Sequence, residues 1–123
     1  MGEPKTVKKI SVSFFQNDKG KMPVREWILG FSPDDKKIIG EDIKTAEFGW
    51  PVGMPVVKPI GDKLYEVRSS LSDGSEARIL FTIYKNYMLL LHGFIKKTQK
   101  IQKRELNLAR NRMKKFFKSE KFK

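Results

Sequence analysis

Arg68, Arg78, Lys96 and Lys97, together with the single histidine His92, are the side chains of this sequence whose types and spacing could do chemistry. A two-residue turn at Lys85-Asn86 sets Arg78 opposite Gly93 and leaves Lys96 and Lys97 just past the same end of the sheet. A five-residue loop over residues 71–75 then sets Arg68 directly opposite Arg78. Two arginines facing each other on one sheet face repel unless an anion sits between them. Gly93 has no side chain to obstruct that spot, so a phosphate could approach the backbone there. The competing reading pairs each arginine with a local acid, Glu66 or Glu76, and a register slip of one residue would separate the arginines across the sheet.

The remaining chemistry is narrow. No carboxylate pair clusters in the strand region, no acidic set suggests Mg²⁺, and the scattered glycines form no phosphate loop. With no cysteine and one histidine there is no zinc site and no thiolate, so neither a metal nor a cofactor is expected. A lone histidine inside an apolar strand such as Leu91-His92-Gly93-Phe94 is more often a hydrogen-bonded core residue than a general base. What is left suits cleavage of RNA through its own 2′-hydroxyl. The substrate then supplies the nucleophile, and the protein neutralises charge on the transition state and the leaving oxygen.

These residues must be held by a particular order of elements. Residues 9–15 alternate apolar Ile10, Val12 and Phe14 with polar neighbours, the period of a half-buried strand. Val24, Trp27, Ile28 and Phe31 follow Pro23 at helical spacing, and Gly30 limits that helix to about two turns. Ser32-Pro33-Asp34-Asp35 is an N-cap with Pro at the first helical position and acids in the first turn, opening a second helix with Ile39, Ile43 and Ala46 on one stripe. Residues 54–60 are bounded by prolines and predict an irregular segment or an edge strand. Residues 64–69, 77–84 and 87–95 are three strands joined by short turns, hence antiparallel, the last apolar enough to be covered on both faces. From Lys100 the period is helical, with Ile101, Leu106, Ala109, Met113 and Phe116 on one face. The expected fold is α+β: an N-terminal strand and two helices packed on an antiparallel sheet of four or five strands, closed by a C-terminal basic helix. Its 123 residues make one domain, with residues 1–8 and 119–123 expected to fray.

The net charge of +12 is uneven. Residues 96–123 hold twelve Lys and Arg against two Glu, so ten of the twelve units lie in the last 28 residues. Such a block fits a nucleic acid, an anionic membrane or an acidic protein. A membrane-surface helix ranks low because the apolar face of this helix is needed to cover the sheet. No run approaches the roughly 18 apolar residues of a membrane span, and no signal peptide is evident, so a cytoplasmic location is expected.

The stretches LYEVR (64–68), ARILF (77–81) and LHGFIKKTQK (91–100), followed by a basic helix, resemble the phage-derived HigB-like branch of the RelE/ParE toxin superfamily. Two departures are mild: Gln102 replaces the usual proline after the last motif, and Val67 takes a leucine position. The resemblance implies a RelE-like fold and a metal-independent mRNA endonuclease, the toxin of a toxin–antitoxin pair that acts on the ribosome, inhibits translation and arrests growth. It implies a helix-turn-helix, HigA-like antitoxin as partner, with operator DNA reached only through that antitoxin. Carried over, Arg68 and Arg78 would hold the scissile phosphate, while Lys96 or Lys97 would stabilise the transition state or protonate the leaving group. Crowding of these cations is a cause for a lowered lysine pKa. Phe94 and Tyr84 would stack on a splayed base, and His92, Lys100, Lys103 and Arg104 would complete the RNA surface. The alternative is a non-enzymatic RNA- or ribosome-binding module that uses the C-terminal helix.

Overall fold

The structure is a computed structural model that describes residues 10–51 and 56–120. Its elements run β1 (Ser11–Phe14), α1 (Pro23–Leu29), α2 (Pro33–Gly49), β2 (Val57–Gly61), β3 (Leu64–Ser70), β4 (Glu76–Tyr84), β5 (Tyr87–Ile95) and α3 (Lys103–Glu120). Residue 9 of the first expected strand, residues 54–55, and the expected frayed residues 1–8 and 121–123 lie outside the described residues. α3 runs through Ser119 and Glu120.

Local chemistry accounts for most boundaries. Pro23 opens α1 and Gly30 closes it, its N–H bonded to the Trp27 carbonyl. At the start of α2 the Ser32 Oγ accepts from the Asp35 N–H at 3.3 Å, with Asp34 and Asp35 in the positive first turn. The β2–β3 hairpin turns through Asp62 and Lys63, both at positive φ (52° and 68°), the conformation that matches the twist of two antiparallel strands.

The sheet order is β1-β5-β4-β3-β2. The last four strands in sequence pair antiparallel, as their short connections require, whereas β1 lies parallel to β5, with Ser11 opposite Tyr87 and Phe14 opposite Leu90. The sheet is therefore mixed rather than purely antiparallel. From β1 the chain passes through α1 and α2 to β2 at the opposite edge of the sheet, and the β2–β3–β4–β5 meander then returns across it to set β5 beside β1. The free side of β1 is partly covered, since Glu47 of α2 accepts from the Val12 N–H at 2.8 Å.

Each face of the sheet carries its own core. On one face α1 and α2 bury Val24, Ile39, Ile43 and Ala46 against Val67, Ile79, Phe81, Met88 and Leu90. On the other, α3 lays Ala109, with Leu106, Met113 and Phe116, over Leu64, Leu80, Leu89, Leu91 and Phe94. The alternating strand positions divide between the two clusters as a two-residue period demands. The apolar stripe of α3 is thus used within the fold.

Candidate active site

Residue spacing brings Arg68 opposite Arg78, as the five-residue loop requires. The loop holds its length through Leu71 N–H to the Ser75 carbonyl at 2.8 Å and through Asp73, which accepts from both the N–H and the hydroxyl of Ser75. Those Ser75 bonds keep the Asp73 carboxyl below the usual carboxylate range. The anion between the two arginines is a protein group. Glu66 Oε1 lies 2.9 Å from Arg78 Nη1 and 3.7 Å from Arg68 Nε. Arg78 also donates through Nη2 to Glu76.

Arg78 is 2% exposed and Glu66 1%. A guanidinium so enclosed between two carboxylates is a cross-strand clamp, and the more accessible arginine is the half-buried Arg68. The hydrogen bond and charge of Arg78, with Lys96 and Arg68 further off, hold the Glu76 carboxyl below its ordinary range. Among the described residues, Glu66 Oε2 and Arg78 Nε have no hydrogen-bond partner. Both residues line a cavity of about 280 Å³ shared with Lys58, Lys96 and Lys100.

The β4–β5 register departs from the expected one. Arg78 sits opposite Phe94, and Gly93 opposite Ile79, because a bulge after Leu80 inserts one extra residue into β5. Leu91, at the bulge, has its carbonyl bonded by Arg112 Nη1 of α3 at 2.8 Å. Gly93 does not make room for a phosphate. A Cβ there would come within 2.4 Å of Trp27 Cε3, so glycine is what lets the indole of α1 rest on the strand.

Beside this contact lies a cavity of about 310 Å³, walled by Trp27, His92, Lys96, Lys97, Arg104 and Glu105 among others. His92 Nε2 is 2.7 Å from Glu105 Oε1, and its ring stacks on Phe94 at 5.6 Å between centroids. Burial pushes the His92 pKa below its ordinary value. The hydrogen bond and charge of Glu105 oppose that shift in part, and Arg112 adds to it.

Lys96, half-buried, and exposed Lys97 follow β5, and the Lys96 N–H bonds the Glu76 carbonyl at 2.9 Å, which fixes the lysine beside the arginine clamp. Lys96 also lines the cavity of Glu66 and Arg78, and Lys96 and Lys97 together border the hollow between Gly74 and Gln99. Lys100 lines both cavities and Arg104 one of them, whereas Lys103 is exposed on the first turn of α3. Phe94 is buried in the α3-side core. Tyr84 is not brought to the site. It lies at the other end of β4, with Phe116 at 5.0 Å and Phe117 at 5.4 Å, because six residues of extended chain, roughly 20 Å, separate it from Arg78. Among the described residues no three His, Cys, Asp or Glu side chains gather as a metal-ligand set.

Residue-by-residue reading missed Trp27 and Glu105. Glu105 had a signal: it is one of two acids in a segment of twelve cations, placed in the first turn of a helix. Trp27 had none, because its helical spacing accounts for it as core.

A mixed five-stranded sheet with two helices on one face and a basic C-terminal helix over a cationic cleft on the other defines an α+β protein of the RelE-like type. The pattern of the phage-derived Gp49-like proteins (DUF891) matches residues 26–114, more than half the chain, and the chain belongs to that family of RelE/HigB-like toxins. No curated protein matches the chain.

Proposed function

We propose that this chain is a HigB-like toxin, a metal-independent endoribonuclease that cleaves mRNA on the ribosome and so arrests growth. The observation that supports this reading is that Arg68, Arg78 and Lys96 stand around Glu66 and Glu76, with Lys97 next to Lys96 where the chain leaves β5 at that end of the sheet. In this reading Arg68 and the lysines meet the scissile phosphate, and Arg78 sets the position of Arg68 through Glu66. Preorganised cations beside a half-buried cleft stabilise the extra charge of a pentacoordinate phosphorus. The 2′-hydroxyl of the substrate attacks, so the protein supplies position and charge and no nucleophile.

The partner in this reading is a small helix-turn-helix antitoxin with an acidic segment that covers the Arg68 and Lys97 surface, operator DNA being contacted by the antitoxin alone. Action on the ribosome sets the site of action in the cytoplasm in this reading. Induced expression of the parent chain arrests growth and cuts ribosome-bound mRNA, whereas the folded double variant Arg68→Ala/Lys97→Ala does neither. A folded double variant that arrests growth as strongly as the parent overturns the site.

A second reading, a ribosome-binding module without catalysis, draws on the exposed Lys103, Arg104, Lys114, Lys115 and Lys118 of α3. It expects charge reversal at Lys114 and Lys115 to remove all activity and Arg68→Ala to change nothing.

A further inference from the structure

We propose that His92 is the general base of the RNA cleavage and that Glu105 is the residue that positions it, an assignment that rests on the endoribonuclease reading above. Three observations meet at this pair. His92 and Glu105 are hydrogen bonded at 2.7 Å through His92 Nε2. Both line the 310 Å³ cavity that also holds Lys96 and Lys97. Both stay in reach of that cavity, with side chains 12% and 15% exposed.

A carboxylate only accepts hydrogen bonds, so the proton of this bond belongs to Nε2, and Nδ1 is left with its lone pair. That is the base-and-orienter arrangement of nucleophilic active sites, with the two ring nitrogens exchanging roles. The residues around the imidazole keep it neutral near pH 7. Burial disfavours the charged ring, Arg112 of α3 adds to this, and the Glu105 charge opposes it without cancelling it. Arg104 Nε lies 3.9 Å from the other oxygen of Glu105, and Phe94 covers one face of the ring. A neutral imidazole can take a proton, and here the ring, its carboxylate partner and the cations Lys96 and Lys97 border one cavity.

The step balances. Nδ1 takes the proton from the 2′-hydroxyl, the 2′-oxygen forms a bond to the adjacent phosphorus, and the bond from phosphorus to the 5′-oxygen breaks. The leaving 5′-oxygen takes a proton from the Lys96 or Lys97 ammonium, and the product carries a 2′,3′-cyclic phosphate. Solvent then returns the proton from imidazolium to amine.

The test uses the full chain on ribosomes programmed with one end-labelled mRNA, with cleavage rate followed from pH 5.5 to 8. The parent loses rate in acid through a single-proton limb below about pH 6.5, the ordinary histidine value. Folded His92→Gln cleaves about 10²–10⁴-fold more slowly and lacks that limb. Glu105→Gln removes the charge that raises the imidazole pKa, so its limb moves to lower pH, a change that a packing role would not produce. Should His92→Gln fail to fold, the shift in Glu105→Gln decides the matter. Parent-like cleavage by folded His92→Gln, or an unmoved limb in Glu105→Gln, overturns the assignment. A parent chain that cuts no mRNA overturns the endoribonuclease reading instead.

Discussion

The two faces of the sheet are built on opposite terms. Under α1 and α2 the contact is mainly aliphatic and aromatic, with Trp50, Tyr65 and Phe81 meeting edge to face or stacked at 5.0–5.9 Å. Under α3 an apolar strip runs only part of the length, and the end near Arg78 is polar: Glu66, Arg68, Arg78, His92 and Glu105 all lie there. Burying charge costs free energy unless every charge is paired, and two polar atoms in this cluster lack partners among the described residues. The α3 side, with its buried charges, is the face on which the proposed site lies.

The largest expected effects set one face against the other. Phe81→Ala removes a fully buried ring from the α1/α2 side and costs about 3–5 kcal/mol. Arg78→Ala costs a similar roughly 3–5 kcal/mol by leaving the buried Glu66 charge uncompensated. Denaturant unfolding separates the causes. Replacing both members of the pair with apolar residues of like volume, Arg78→Met with Glu66→Leu, regains most of the lost stability, while growth arrest stays lost. A double variant as unstable as Arg78→Ala would mean that the pair holds the fold rather than the site.

Gly93→Ala comes next. Its methyl would meet the Trp27 ring at 2.4 Å, where α1 must shift, and overpacking of this kind costs about 1–3 kcal/mol. Thermal unfolding reads it, and Trp27→Leu in the same chain relieves most of the cost. An unchanged melting temperature in Gly93→Ala would remove the close packing of α1 on β5.

The smallest effect is a pH slope confined to the α3 side. Because burial lowers the folded-state pKa of His92 below 6.5, the unfolded chain binds the proton more readily. The contribution of this group is fully present above pH 6.5 and is lost as pH falls from there through the lowered value. Stability of the parent therefore declines across that window and His92→Gln declines less. Equal slopes would show that the imidazole meets the same environment folded and unfolded.

Much of this arrangement was legible in the residues. Period and turn chemistry place α2 from Ser32-Pro33 onward and the strands β3, β4 and β5 to within a residue or so, since their signals are local. The loop length alone puts Arg68 across from Arg78. Three features are set by contacts between distant residues, which local pattern does not report. β1 joins β5 in parallel across more than seventy residues of chain. The β5 bulge shifts Gly93 by one position, and Arg112 from α3 satisfies the carbonyl beside it. Glu105 reaches His92 only because α3 folds back over the sheet. A lone histidine therefore reads as packing in sequence and as half of a hydrogen-bonded histidine–carboxylate pair in space.

The central claim, that the α3 side cuts RNA through the substrate's own 2′-hydroxyl, is tested most directly by the ends of the products. Ribosomes programmed with a defined mRNA are incubated with the purified chain, and both new termini are assigned by end-labelling and mass spectrometry. Attack by the 2′-oxygen leaves a 5′-hydroxyl on one fragment and a 2′,3′-cyclic phosphate, or the 3′-phosphate formed from it, on the other. A 5′-phosphate facing a 3′-hydroxyl, or intact mRNA, would contradict the account.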